Sequence, residues 1–161
     1  MDSETDRTEW ERLISANENR LYRAALAILG SAAEAEDAVQ DAFVKYLERR
    51  PRLQNPEDTG KWLMRVTVNG CKDRLRAAYR RCSVPLTEEL PAPGPEERPG
   101  LEEFFSKLSP RDRTVIHLYY YEGYSTGEIA GILRLREGTV RSRLSRARAQ
   151  LRTLLSEKEE R

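Results

Sequence analysis

Apolar residues along this 161-residue chain recur at helical spacing, and no stretch alternates as a half-buried strand would. Trp10, Leu13, Ile14, Leu21, Ala25, Ile28 and Leu29 define one side of a first predicted helix, which Gly30 stops. Ser31 followed by Glu34 reads as a capping box. Ala35, Ala38, Val39, Ala42, Phe43, Tyr46 and Leu47 then form an i, i+3, i+4, i+7 stripe on a second helix ending before Pro51. After the turn-rich "RPRLQNPEDTG", Asn55 as cap and Pro56 in the first turn open a third helix running to about Arg81. Trp62, Leu63, Val66, Gly70 and Leu75 mark its expected buried side.

The pattern then breaks. "VPLTEELPAPGPEERPG", Val84 to Gly100, carries five prolines and four glutamates with little to bury, and reads as an extended acidic linker. Beyond it, Leu101 to Leu108 is a short helix, and Ser109 with Pro110 begins another through Tyr121, closed by Gly123. Ser125 and Glu128 make a second capping box, with Tyr124 and Ile129 as its staple, opening a helix of about nine residues to Leu133. The turn "RLRE" leads into a last helix, so this half spells helix, tight turn, helix. The expected fold is all-α: helical domains at residues 1–82 and 101–161, joined by the Pro-rich acidic linker 83–100, with a helix-turn-helix in the second domain.

Charge sharpens this picture. The formal net charge is only +1, yet Glu34 to Asp41 holds four acids and no base, whereas Lys61 to Arg81 holds seven bases against Asp73. In "EGTVRSRLSRARAQL", Val140, Leu144, Ala147, Leu151 and Leu154 collapse onto one face. The opposite face presents Ser142, Ser145, Arg146 and Ala149, flanked by Arg141 and Arg152, with Arg143 and Arg148 on the shoulders. Small residues between arginines let a backbone approach a groove, and arginines in the first turns can fork onto guanine edges or phosphates. Arg141 lies where the helix dipole gives a cation no help, which favours nucleic-acid contact over a merely solvated face.

Other chemistries find little support. Cys71 and Cys82 are too few for a disulfide framework or a four-ligand zinc site; on one helix they would lie about 16 Å apart, too far to bridge. No cofactor is expected, and no nucleophile with a base and no glycine-rich phosphate loop suggests an enzyme. "MDSETDRTEW" is not of signal-peptide type and no run of about 18 apolar residues occurs, so no membrane insertion and a cytoplasmic location are expected.

"EAEDAVQDAFVKYL" (Glu34 to Leu47) and "KWLMRVTVNGCKDRLR" (Lys61 to Arg76) resemble the first domain of bacterial sigma factors of the extracytoplasmic-function (ECF) group. "LSPRDRTVIHLYYYEGYSTGEIAGILRLREGTVRSRLSRARAQL" (Leu108 to Leu151) resembles that group's second domain, in the family's order and with its linker between. The resemblance implies a transcription initiation factor that binds core RNA polymerase and reads promoter DNA. Arg141, Ser142, Ser145 and Arg146 fall where the family contacts the -35 element. The connector 54–60 and Asn69 fall where it receives an unstacked -10 base, with Lys61, Arg65, Lys72 and Arg76 as companion bases for the phosphates. Asp37, Gln40 and Asp41 match its surface for the polymerase clamp helices. Family habit adds an anti-sigma partner.

The residues' own chemistry agrees. Asp37, Gln40 and Asp41 form one polar patch suited to a basic partner, and the Asn69 amide can both donate to and accept from a base edge. Trp62 and Leu63 read as core rather than as a stacking platform. Two departures stand out: Met64 occupies a position where the family often writes an aromatic, and Val68 one where it often writes a base. Promoter preference is therefore not transferable, and weak aromatic content in the third helix implies limited melting power. The alternatives are a stand-alone helix-turn-helix regulator and, in another class, a helical adaptor or enzyme without a DNA role.

Overall fold

The computed structural model describes residues 3–82 and 101–160, with side chains for 3–81 and 104–160; the expected linker lies outside them. Seven α-helices account for the described residues: α1 (Ser3–Leu29), α2 (Ala32–Arg49), α3 (Pro56–Cys82), α4 (Leu101–Ser106), α5 (Pro110–Ile116), α6 (Thr126–Leu133) and α7 (Glu137–Glu159). No strand occurs among them.

Local chemistry sets the boundaries. Gly30 takes φ 70° after α1. Ser31 Oγ then accepts from the Glu34 N–H at 3.4 Å, although the return bond of the capping box is absent. Arg50 closes α2 in the left-handed region, donating its N–H to the Tyr46 carbonyl. Asn55 Oδ1 caps α3 through the Asp58 N–H at 2.9 Å, and Ser109 Oγ caps α5 through the Asp112 N–H at 3.2 Å. At α6 the full box forms, with Ser125 Oγ taking the Glu128 N–H and Glu128 taking the Ser125 N–H.

In the N-terminal half, α1, α2 and α3 pack around Leu21, Ala24, Ala25 and Ile28, against Ala35, Ala38, Val39, Ala42 and Phe43 of α2. Alanines on both helices permit close approach. Trp10, Phe43, Tyr46 and Trp62 close one end of the bundle, with ring centroids 5.8–6.2 Å apart. The α3 phase differs from expectation: Leu63, Met64, Thr67, Val68 and Cys71 are buried, whereas Trp62, Val66, Gly70 and Leu75 are only half-buried. The expected stripe was displaced toward the basic side of the helix. Met64 and Val68 are therefore core residues, and their departures from the family pattern concern packing. Leu47, expected inside, is 44% exposed.

In the C-terminal half, Val115, Ile116 and Leu118 meet Ile129, Ile132 and Leu133 of α6 and Val140, Leu144 and Ala147 of α7. The helix expected through Tyr121 changes character at His117. Residues His117–Tyr121 form a π-helical turn, with the Glu122 N–H reaching back to the His117 carbonyl at 3.1 Å. The two halves pack directly on each other, α1 against α5 and the π-turn, and α3 against α6.

Candidate nucleic-acid interface

The turn between α6 and α7 is held tightly. Arg134 adopts φ 56°, Leu135 donates its N–H to the Ala130 carbonyl at 3.0 Å, and Thr126 Oγ1 donates to Glu137 Oε1 at 2.8 Å across the turn. Glu137 also pairs with Arg141 at 3.1 Å. The Thr126 hydroxyl first, then Arg141, holds the Glu137 carboxyl below the usual carboxylate range. With Val140, Leu144 and Ala147 buried, α7 turns Arg141, Ser142, Ser145, Arg146 and Ala149 to solvent. Its arginines have different jobs. Arg148 donates to Tyr120 Oη at 2.6 Å and lies over the Tyr119 and Tyr120 rings, which fixes it in place. Arg141 is tethered to Glu137, Arg143 is half-buried, and Arg146 is exposed with no salt bridge among the described residues.

On α3, Lys61, Arg65, Asn69, Lys72 and Arg76 follow one another at intervals of four, four, three and four, one stripe down the helix. The structure brings them together but covers them with α6. Lys61 Nζ pairs with Glu128 at 2.6 Å, and that bond raises its pKa. Half-buried Lys72 donates to the Leu133 carbonyl at 3.3 Å, satisfying the C-terminal end of α6. Arg65, Asn69, Lys72 and Arg76 share a cleft of about 430 Å³ with Arg134 and Leu135. In the connector, Thr59 and Gly60 are buried, and a Cβ on Gly60 would stand 3.3 Å from Asn17 Oδ1. The connector thus ends hard against α1.

Asp37, Gln40 and Asp41 are all exposed on α2, and Asp41 pairs with Arg74 of α3 at 2.6 Å. Beside them stand Val44, 50% exposed, and Leu47. The sequence pattern missed these two as members of the face. Its one signal was Val44, an apolar residue outside the buried stripe.

Nothing local foretold the seam between the halves. Arg20 Nε meets Glu122 Oε2 at 2.9 Å, and its Nη2 donates to Tyr124 Oη at 3.1 Å. The Glu122 side chain is 1% exposed and also meets His117 Nε2 at 3.1 Å. Buried Arg113 donates to the Ile28 carbonyl at 3.2 Å, a cation at the C-terminal end of α1. Burial pushes its pKa down. In this arrangement the α3 stripe and the α7 arginines Arg143 and Arg146 converge on the junction.

Residues 13–81 match the family described as Sigma-70 region 2, and residues 100–151 match Sigma-70, region 4. The ECF RNA polymerase sigma factor SigM of Mycobacterium tuberculosis is 30% identical over 93% of this chain and 79% of its own length. SigL of the same organism is 37% identical over 85% and 83%. A probable RNA polymerase sigma factor, RfaY of Xanthomonas campestris pv. campestris, is 35% identical over 89% of this chain, which spans only 40% of its length. Among solved structures, the sigma factor RpoE of Bartonella quintana, in complex with the anti-sigma factor NepR, superposes with a TM-score of 0.71 at 25% identity, covering 94% of this chain and 97% of that one. CnrH, in complex with the cytosolic domain of CnrY, gives 0.66 at 25% identity, covering 93% and 89%.

Proposed function

Because the chain belongs to the ECF group of RNA polymerase sigma factors, we propose that it binds core RNA polymerase and directs it to specific promoters, as a subunit with no chemical step of its own. The observation that carries this reading is the presence of both sigma regions in one chain, in order, the second ending in an exposed Arg-Ser strip on a capped helix-turn-helix. A stand-alone regulator has no use for the first region. Arg141, Ser142, Ser145 and Arg146 would read the -35 element in the major groove. Lys61, Arg65, Lys72 and Arg76 would track -10 phosphates, with Asn69 and the connector 54–60 taking a base. Asp37, Gln40 and Asp41, with exposed Val44 and Leu47, would dock on polymerase: acids steer a basic partner, and the apolar pair supplies desolvated contact.

Promoter engagement requires α6 to leave the α3 stripe, so the packed arrangement is the unengaged one. An anti-sigma partner that favours this state fits the reading, as does work in the cytoplasm beside polymerase. Among the described residues no helix is long and apolar enough to cross a membrane. The Trp62 ring is half-buried against Tyr46 and Met64 is core, so melting would lean on a close match to the promoter; equal transcription from many degenerate -10 sequences would contradict that. The deciding experiment is binding to bacterial core polymerase followed by run-off transcription from promoter libraries. Transcripts that require the protein support the reading; no association with core, together with tight binding to DNA alone, overturns it.

A further inference from the structure

A second cleft, of about 540 Å³, opens where α3, α5 and α7 meet. Lys72 and Arg76 line it from the N-terminal half, and Arg111, Arg143 and Arg146 from the C-terminal half. Asp112 is the one carboxylate on its wall. Among the described residues Arg111, Arg143 and Arg146 form no salt bridge, and Arg76 has only a loose 3.7 Å contact to exposed Asp73. Lys72 spends one hydrogen on the Leu133 carbonyl and keeps two. The crowding registers in the titration of these groups. Burial first, then the charges of Arg76, Arg143 and Arg111, pushes the Lys72 pKa down; burial and then Arg111 do the same to Arg143.

Like charges gathered from two domains into a concave site repel until an anion neutralises them. The volume lies in the range of small-ligand sites, and guanidinium forks match phosphate oxygens bidentately. A single carboxylate brings too little charge for five cations. A DNA duplex, whose major groove alone is about 12 Å wide, cannot enter while α3 packs on α6 and α1 on α5.

We propose that this cleft is a binding site for a compact oligophosphate anion, a di- or triphosphate group whose oxygens bridge Lys72 and Arg76 to Arg111, Arg143 and Arg146. Bound there, it ties the two halves together. It also occupies Arg146, so on the promoter reading above it competes with the -35 element.

The test is isothermal titration calorimetry of the full chain with sodium tripolyphosphate, against sodium sulfate at equal ionic strength. One-to-one saturable binding is expected, weakened at least tenfold by Arg111→Ala and unchanged by Arg80→Ala. Arg111 and Arg80 are both exposed, and Arg80 lies outside the cleft. The melting temperature should rise with tripolyphosphate in the wild type and not in Arg111→Ala. Sulfate binding equal to tripolyphosphate, or binding indifferent to Arg111, means an adventitious ion only and overturns the site. Tighter Arg111-dependent binding of a glutamate-rich peptide or a DNA duplex overturns it as well. Failure here leaves polymerase binding and run-off transcription intact, whereas failure of those assays leaves the calorimetry standing.

Discussion

Replacing Arg20 by Met, alone and combined with Glu122→Gln, tests whether the seam between the halves is an energetic unit. Met keeps the apolar stem of the side chain while removing both donors. Glu122 is 1% exposed and loses its 2.9 Å partner, whereas the Arg20 side chain is 40% exposed. Breaking a fully buried pair costs about 3–5 kcal/mol. Here solvent reaches the Arg20 side and His117 stays bonded to the carboxylate, so a loss of about 1.5–3 kcal/mol is expected, the scale of a hydrogen bond to a charged group. The double-mutant cycle should return a coupling of about 1–3 kcal/mol. Both tryptophans, Trp10 and Trp62, lie in the N-terminal half. Urea unfolding followed by fluorescence therefore reports that half, while circular dichroism reports both. The two curves should coincide in the wild type and separate in Arg20→Met. Coupling below about 0.5 kcal/mol, with coincident curves in every variant, would refute the argument. The same carboxylate sets a pH dependence. Burial raises its pKa, but the hydrogen bonds from His117 and Arg20 outweigh burial and leave it lowered. Its stabilisation is then fully present above the unfolded value of about 4.3 and is lost as pH falls through the lower folded value. The difference between wild type and Glu122→Gln should shrink below about pH 4.

Other expectations are more direct. Arg146→Ala should cost roughly 1–3 kcal/mol in promoter discrimination; an unchanged -35 preference in run-off assays removes Arg146 from base readout. Asp41→Arg should weaken core-polymerase binding while lowering stability by at most about 1 kcal/mol, since the Asp41–Arg74 pair is largely exposed; unfolding by circular dichroism would mean that Asp41 is structural. Burial pushes the Cys71 thiol up to about 12. At mildly alkaline pH it should resist iodoacetamide in the native chain and react after denaturation, and native labelling seen by mass spectrometry would mean that the α3 core opens.

The parts of the fold that were readable in sequence are those governed by neighbours in the chain. Ser31, Asn55, Ser109 and the Ser125–Glu128 box act within three residues, and each starts the helix assigned to it. The exposed Arg-Ser strip of α7 followed from a narrow apolar stripe with no competing phase. On α3 two apolar sets overlap, and choosing Val66 and Leu75 over Met64 and Val68 misplaced the buried side, because only contact with α1 and α2 selects between them. The π-turn leaves no local pattern to read. Arg20 and Glu122 stand 102 positions apart, and no periodicity connects them. The basic stripe of α3 was visible, but its cover was not, since α6 shows its polar start and end to α3 rather than an apolar face.

A π-turn accommodates one residue more than an α-helix would over the same length, so it acts as a length setting on everything after it. Each residue in a helix advances the chain by about 100° around its axis. Deleting one position within His117–Tyr121 would return the segment to α-helical register and swing Glu122 by about that angle, away from Arg20. Helix content would barely change and α7 would keep its own face, yet the seam would lose its centre. The spacing of the two halves is therefore counted out in residues at this turn, where a change of one position alters assembly before it alters fold.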